Sequence, residues 1–189
     1  MADIHSFKDE VQSLVSKFER DKNHYLQKGY NEAQVRNDFL NPLFQALGWD
    51  IENKAQKPPH ERDAIVEILS DAEKRSHSNL RPDYSFRIHG ATKYFVEAKA
   101  PWVPLDDVNH IMQAKSYAWS TKEVSFVVLT DFEGFKLFDA SLRPNPKFPR
   151  EGLLYDFKYI DYPTNIEKLW ELSRVRVGQG SLEALLPRD

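Results

Sequence analysis

The spacing of apolar residues predicts two helices in the first quarter of the chain. Between about residues 6 and 27, apolar side chains recur every three or four positions, which is the period of an amphipathic helix. This stripe consists of Phe7, Val11, Leu14, Val15 and Phe18. A second stripe begins at Asn31, where Gln34 completes a capping-box pattern, and ends at Gly48. Pro42 falls inside this second helix, so we expect a kink there.

Short runs rich in aromatic and β-branched residues predict strands in the middle of the chain. Residues 83–88 and 93–99 are two such runs, and the turn residues at 89–91 predict that they form a hairpin. Further strands are predicted at 65–69, 124–130, 135–138 and 153–162, and loops at 53–63, 71–79 and 143–152. Helices are predicted from Asp106 to about Ser120 and over residues 165–174. This order of elements predicts an α/β protein in which a central mixed β-sheet is flanked by helices.

Length and composition indicate a single domain with a C-terminal appendage. The chain has 189 residues, of which 41% are hydrophobic, and this is enough to bury one sizeable core. We expect one domain over residues 1–160 and a C-terminal helix and tail over residues 161–189. The tail is polar after Arg174, and we expect this segment to connect to further domains.

Charge and cysteine content narrow the choice of compartment and partner. With 26 basic and 29 acidic residues the formal net charge is −3, which does not indicate a DNA-coating protein. An acidic metal-binding pocket would, however, offset a basic rim in that sum. The chain has no cysteine, which excludes disulfides and thiolate metal sites and fits a reducing cytoplasm, where we expect the protein. No apolar run approaches the roughly 18 residues needed to cross a bilayer, so we expect no membrane contact.

The predicted hairpin brings two carboxylates and an ammonium group together. Asp83 begins its first strand and Glu97 lies near the end of its second, so antiparallel pairing places the two side by side. Side chains alternate along a strand, so Glu97 and Lys99 project from one face. Carboxylate oxygens suit a hard divalent cation, and Lys99 would stabilise the negative charge of a phosphate transition state. A Glu-x-Lys triplet alone is more often a solvated ion pair, so this interpretation depends on the rest of the chain.

Four segments in order resemble the PD-(D/E)XK nuclease superfamily. Pro82-Asp83 matches its PD aspartate, and Glu97-Ala98-Lys99 matches its (D/E)-X-K. The residues from Asn31 to Asp50 look like the opening helix of restriction-enzyme nuclease domains, and Gln113 to Tyr117 matches their Q-x-x-x-Y element. The resemblance covers about residues 30 to 140. It is to the N-terminal nuclease domains of type I motor subunits or of fused type IIG or ISP-like enzymes, and it implies a restriction-endonuclease-like fold.

The resemblance implies a role for each matching residue around a metal ion. Asp83 and Glu97 would be direct ligands of Mg²⁺, for which Mn²⁺ would substitute. Glu32 would add an acidic group from the first family helix, although it equally suits a surface ion pair with Arg36 one turn later. Lys99 would orient or help deprotonate the attacking water and stabilise the pentavalent phosphate.

Helix residues and basic loops would support this site. Gln113 and Tyr117 are four apart on one helix face, and the resemblance places Gln113 with the catalytic residues and Tyr117 in support. The alternative for Tyr117 is a half-buried core aromatic. Arg36 would support DNA binding. The basic residues near the site in sequence would contact the DNA backbone or be ordinary solvated charges, namely Lys54, Lys57, Arg62, Lys74, Arg75 and Arg81.

The function that the resemblance implies is a metal-dependent endonuclease domain that hydrolyses phosphodiester bonds of double-stranded DNA. It would be the cleavage module of a restriction–modification enzyme. Its partners would be methyltransferase, target-recognition or helicase domains, and a second copy in a transient dimer on DNA. One alternative is a stand-alone Mrr-like or repair nuclease. Another is a degenerate nuclease-fold domain used for DNA binding or assembly, against which the joint presence of Asp83, Glu97 and Lys99 argues.

Overall fold

A six-stranded mixed β-sheet forms the centre of the protein in the computed structural model, which describes residues 2–68 and 81–187. The strands lie side by side in chain order: β1 (Ala64–Val66), β2 (Tyr84–Ile88), β3 (Ala91–Ala98), β4 (Phe126–Thr130), β5 (Gly134–Asp139) and β6 (Leu153–Lys158). β3 and β4 are parallel, and the other neighbours are antiparallel. Helices pack against the sheet, so the predicted α/β class is confirmed.

The helices divide between the two faces of the sheet. They are α1 (Ile4–Arg20), α2 (Lys22–Tyr25), α3 (Glu32–Val35), α4 (Asn41–Ala46), α5 (Val108–Thr121), α6 (Ile166–Trp170) and α7 (Arg174–Gly178). Short 3₁₀ helices occupy Pro59–Glu61, Tyr159–Thr164 and Glu183–Leu185. The larger core lies on the face covered by α1, α4, α6 and α7, and the smaller core lies under α5. No helix among the residues described is long and apolar enough to cross a membrane.

The distortion expected at Pro42 takes the form of a π-helical turn over Arg36–Leu40, between α3 and α4. Proline has no N–H to donate and its ring crowds the carbonyl four residues earlier, which belongs to Asp38. That carbonyl accepts a hydrogen bond from Lys17 Nζ at 3.1 Å. The wider turn therefore lets the helical path continue past the proline. The predicted capping box of Asn31 and Gln34 is confirmed.

Other boundaries differ from the predictions. The first helix ends at Arg20 and not near residue 27, and β1 ends at Val66, with residue 69 outside the part of the chain described. β6 ends at Lys158 because the chain turns inward, where the Tyr162 hydroxyl donates to the carbonyl of Phe132 at 2.5 Å.

The segment after residue 160 belongs to the larger core, and the polar tail predicted after Arg174 is wrong. Val177 and Leu182 are buried in that core. The carbonyl of Leu172 accepts hydrogen bonds from Trp49 Nε1 at 3.0 Å and from the Tyr94 hydroxyl at 2.9 Å. The segment is thus fixed against β3 and against the residues that follow α4. The domain boundary at 160 and a connection to further domains stay predictions.

Candidate active site

Asp83 and Glu97 lie next to each other at one end of the β2–β3 pair. Tyr84 pairs with Val96, so the residues one step further along each strand are neighbours. The backbone N–H of Ala98 donates to Asp83 Oδ2 at 2.7 Å, which holds that carboxylate in place. Both side chains are 0% exposed. The structure therefore brings together, inside the protein, the two carboxylates singled out in the sequence.

Lys99 adds a buried ammonium group to these carboxylates. Its backbone N–H donates to the carbonyl of Thr130 at 3.0 Å, which extends the pairing of β3 with β4 beyond Ala98. Its side chain is on the same strand face as Glu97, and Nζ lies 3.5 Å from Glu97 Oε1. Nζ also donates to Gln113 Oε1 at 2.9 Å. The ammonium is thus held between a carboxylate and an amide.

Helix α5 supplies the polar groups that fix Lys99 from above the sheet. The helix begins after Asp107, whose side chain caps it by accepting from the N–H of Asn109 at 2.8 Å. Gln113 Nε2 donates to the Tyr117 hydroxyl at 3.2 Å. Tyr117 itself is buried in the apolar cluster under α5. Tyr117, Gln113 and Lys99 therefore form a chain of hydrogen bonds that leads from the small core to the carboxylates.

Arg36 approaches Asp83 from the opposite side of the sheet. It is the first residue of the π-helical turn, and its Nη1 lies 3.4 Å from Asp83 Oδ1. Its Nη2 donates to the carbonyl of Glu67 at 2.5 Å, and the guanidinium lies 5.0 Å from the centre of the Tyr84 ring. Arg36 therefore joins β1, β2 and the first helical region at the site. This contact with Asp83 was not anticipated from the sequence.

Glu32 lies on the same side as Arg36, at the first position of α3. Burial lowers the pKa of Arg36, but the nearby Tyr84 and Asp83 outweigh it and raise this pKa, and the charge of Glu32 adds a smaller contribution in the same direction. Burial raises the pKa of Tyr84, to which the charge of Glu32 also adds a small contribution. Within residues 2–68 and 81–187, no group of three or more His, Cys, Asp or Glu side chains is arranged to hold a metal ion. Glu32 as a third metal ligand therefore stays a prediction.

The donor set that the structure does assemble fits Mg²⁺. Asp83 and Glu97 provide hard carboxylate oxygens, and Mg²⁺ is usually held by one or two carboxylates together with water and substrate phosphate. Arg36 lies beside the buried Asp83 carboxylate and Lys99 beside the buried Glu97 carboxylate. A third acidic ligand is not required for such a site.

A cleft of about 630 Å³ opens beside this chain of residues. Its lining includes Pro82, Phe95, Met112, Gln113 and Tyr117. Pro82 immediately precedes Asp83, so the cleft lies between the start of β2 and the middle of α5. It provides open space directly next to the amide that holds Lys99.

Lys54, Lys57 and Arg62 belong to a loop at the other end of β2 from Asp83, so they do not surround the site. The backbone carbonyl of Arg62 accepts from Arg87 Nε at 2.8 Å, near the far end of β2 from Asp83. Arg87 is four positions after Asp83 along extended chain, so the two residues are about 13 Å apart. Lys54 and Lys57 belong to the same loop as Arg62, since Arg62 Nε donates to the carbonyl of Lys57 at 3.0 Å. Closeness in sequence is therefore misleading here, because β2 carries the chain away from the loop.

The other three basic residues of this set are Lys74, Arg75 and Arg81. Lys74 and Arg75 lie outside the residues described. Arg81 comes directly before Pro82 and is exposed.

Asp131 is a further acidic residue at the same end of the strands, and its place there was not predicted from the sequence. Ala98 pairs with Thr130, so Asp131 follows β4 where Lys99 follows β3. Asp131 is buried, and its Oδ1 accepts from the N–H of Gly134 at 2.7 Å. Burial raises its pKa to about 8, although the N–H of Gly134 opposes this shift. The sequence did not predict that β3 and β4 pair in parallel. This pairing aligns the ends of two strands that are far apart in sequence.

Comparison with known proteins finds a relative among restriction enzymes. Over 135 residues the chain is 39% identical to the type II restriction enzyme and methyltransferase RM.Eco57I of Escherichia coli. The match covers 71% of this chain but only 13% of the relative's length. No protein-family model matches the chain, and no solved structure matches it. Most of the chain is therefore similar to a small part of a restriction enzyme and methyltransferase.

Proposed function

We propose that this chain is a Mg²⁺-dependent DNA endonuclease domain of the PD-(D/E)XK type and the cleavage part of a restriction–modification enzyme. The observation that carries the proposal is the buried group of Asp83, Glu97 and Lys99, where the start of β2 meets the end of β3. The similarity to RM.Eco57I supports the restriction–modification context.

Asp83 and Glu97 would hold the metal ion. When bound, Mg²⁺ would lower the pKa of a water molecule and neutralise charge on the scissile phosphate. The N–H of Ala98 keeps Asp83 oriented toward Glu97 before any ion arrives. Mn²⁺ is expected to substitute, because it also prefers oxygen ligands.

Lys99 would act on the phosphate itself. Its ammonium would stand where negative charge increases as the phosphate becomes pentavalent, and a charge fixed in advance is the most effective kind there. Gln113 fixes the position of Nζ, and Tyr117 fixes Gln113. Both residues would thereby reduce the motion of the ammonium during the reaction.

The substrate of this domain would be double-stranded DNA. Methyltransferase, target-recognition or helicase domains of the same polypeptide or complex would bring the domain to its site. One active centre cuts one strand, so we expect two copies to meet transiently on DNA for a double-strand break.

Cleavage of supercoiled plasmid with Mg²⁺ or Mn²⁺ tests the proposal. We expect Asp83→Asn to reduce the rate by at least about a hundredfold, comparable with the loss of a group that stabilises the transition state. Asp9→Asn is the matched control, because Asp9 is exposed on α1, which packs on the sheet face opposite to α5. Equal cleavage by the wild type and Asp83→Asn would show that Asp83 is not part of the active site.

A degenerate nuclease-fold domain that only binds DNA is the second candidate. The contacts of Arg36 with Asp83 and of Lys99 with Glu97 favour it, because they offset the buried negative charge without any metal. Calorimetry with Mg²⁺ and with Ca²⁺ separates the two candidates. Metal binding that Asp83→Asn abolishes supports the nuclease, whereas DNA binding in EDTA together with no heat of metal binding supports the degenerate domain.

A further inference from the structure

An exposed tryptophan follows the site on a rigid turn. The N–H of Val103 donates to the carbonyl of Ala100 at 3.0 Å, which closes a turn with Pro101 at its second position. Ala100 and Pro101 are buried and anchor the turn. Trp102 occupies the outer corner, where it is 41% exposed. A large aromatic ring is thus held toward solvent only three residues after Lys99.

A lysine from a different part of the chain lies over this ring. Lys28 Nζ is 5.8 Å from the centre of the Trp102 ring. The loop containing Lys28 is held by Tyr25 and Tyr30, which are buried and whose rings are 4.9 Å apart. This loop leads into α3, where Glu32 is the first residue. The Lys28–Trp102 pair therefore joins the segment that follows β3 to the segment that precedes α3, and both segments flank the carboxylates.

Stability does not account for this pair. An exposed contact between a cation and an aromatic ring contributes only about 0.5–1 kcal/mol to stability. The part of the indole that stays exposed to solvent adds no hydrophobic stabilisation. An aromatic face and an ammonium group are, however, the two groups with which proteins bind a nucleic-acid strand, by stacking and by phosphate contact. The carboxylates of Asp83 and Glu97 repel phosphates, so a cation just outside them offsets that repulsion.

We propose that Lys28 and Trp102 form a DNA-binding rim of the active site. Trp102 packs against the sugar or base of a nucleotide next to the scissile phosphate, and Lys28 binds a neighbouring phosphate. The rim places the scissile phosphate over Asp83 and Glu97. This inference rests on the proposed function, because it takes DNA as the substrate.

Trp119 is a natural control for Trp102. It lies near the end of α5 and is 42% exposed, almost the same as Trp102. The remaining tryptophans, Trp49 and Trp170, are buried in the larger core. The two exposed tryptophans thus differ in position and hardly in accessibility.

The binding of a fluorescein-labelled DNA duplex by the full chain, measured by anisotropy in Ca²⁺, tests the rim. We expect Trp102→Ala to raise Kd about fivefold or more, because the apolar contact of the ring with a nucleotide is lost, and Trp102→Phe to keep most of the affinity. Trp119→Ala is expected to leave Kd unchanged. Lys28→Gln should weaken binding and lower the slope of log Kd against log salt by about one.

Intrinsic fluorescence gives a readout that a merely structural role would not change. In Trp119→Phe, Trp102 is the one exposed tryptophan, and we expect DNA to quench its emission. In Trp102→Phe, we expect DNA to cause little quenching.

The outcomes separate this inference from the proposed function. If the wild type binds DNA and Trp102→Ala binds equally well, the rim is wrong while the nuclease proposal stands. An equal loss in Trp119→Ala also rejects the rim, because position would then not matter. If plasmid is never cut but binding depends on Trp102 and Lys28, the nuclease proposal fails and the rim stands. Failure of the wild type to bind duplex DNA overturns the rim.

Discussion

Lys99 and Lys115 are both buried in the layer between the sheet and α5, yet their partners differ. Lys99, 5% exposed, faces the Glu97 carboxylate and the Gln113 amide. Lys115, 3% exposed, donates to the backbone carbonyls of Pro149 and Glu151 at 2.8 and 2.7 Å. Burial lowers the pKa of Lys115, and the charge of Glu151 opposes this shift.

The difference shows that burial alone does not identify a catalytic lysine. Lys115 fastens the loop before β6 onto α5 through groups that take no part in chemistry. Lys99 lies beside a carboxylate and is held by the Gln113 amide, which lines a cleft, and we propose that its charge acts on a substrate there. The partners of a buried lysine indicate its role better than its burial does.

Replacement of Lys99 provides the largest test of this contrast. We expect Lys99→Met to reduce plasmid cleavage by about 10²–10³-fold, because a fixed charge at the transition state is lost. Lys99→Met should also be less stable than the wild type, because Glu97 loses the cation beside it, so cleavage is compared per folded molecule. Full cleavage by Lys99→Met, measured under the same Mg²⁺ conditions, would show that Lys99, like Lys115, has only a structural role.

Gln113→Leu tests whether the position of the ammonium matters. The substitution removes a hydrogen bond to a charged group, so we expect cleavage to fall about ten- to hundredfold. Tyr117→Phe should have a smaller effect in the same direction, because Gln113 keeps its contact with Lys99. A greater loss in Tyr117→Phe than in Gln113→Leu would contradict the order of this hydrogen-bond chain.

Asp131→Asn tests a buried acidic group that follows β4 at the same end of the strands as Lys99. Because the folded state raises the pKa of Asp131 from 3.8 to about 8, the folded protein holds this proton more tightly than the unfolded chain does. The contribution of Asp131 to stability is therefore largest below pH 4 and is lost as the pH rises toward 8. Urea unfolding should show Asp131→Asn to be more stable than the wild type at pH 8 by about 1 kcal/mol or more.

The same experiment has an exposed control. Asp9→Asn, on the exposed face of α1, should leave the pH dependence of the unfolding free energy near that of the wild type. A pH profile of Asp131→Asn that parallels the wild type would show that Asp131 titrates normally in the folded state.

Lys115→Met should give the smallest effect, and this effect should be confined to stability. Two carbonyls lose their donor, so we expect the free energy of unfolding to fall by about 1 kcal/mol. Cleavage per folded molecule should not change. A selective loss of cleavage at unchanged stability would place Lys115 in the mechanism.

The sequence predicted the features that depend on local pattern. The capping box at Asn31 requires only residues three apart, and the hairpin that joins Asp83 to Glu97 requires only strand alternation and a turn. Both appear in the structure. The site could be outlined from sequence because its central residues lie on one hairpin.

The features that were missed depend on contacts between distant segments. Asp131 reaches the edge of the site through parallel pairing of β3 with β4, which no local pattern indicates. Arg62 is near Asp83 in sequence but near Arg87 in space. Lys28 and Trp102 meet across 74 positions because their loops are anchored by unrelated core residues. These placements follow from tertiary packing, which overrides proximity along the chain.

The two hydrogen bonds to the Leu172 carbonyl determine how this polypeptide can be cut for recombinant work. A fragment that ended at residue 160 would leave the buried donors of Trp49 and Tyr94 without this acceptor, at about 1–3 kcal/mol each. It would also expose the core surface that Leu169 and Leu182 cover. An expression fragment should therefore keep the chain through Leu182, and a fusion partner belongs after that residue.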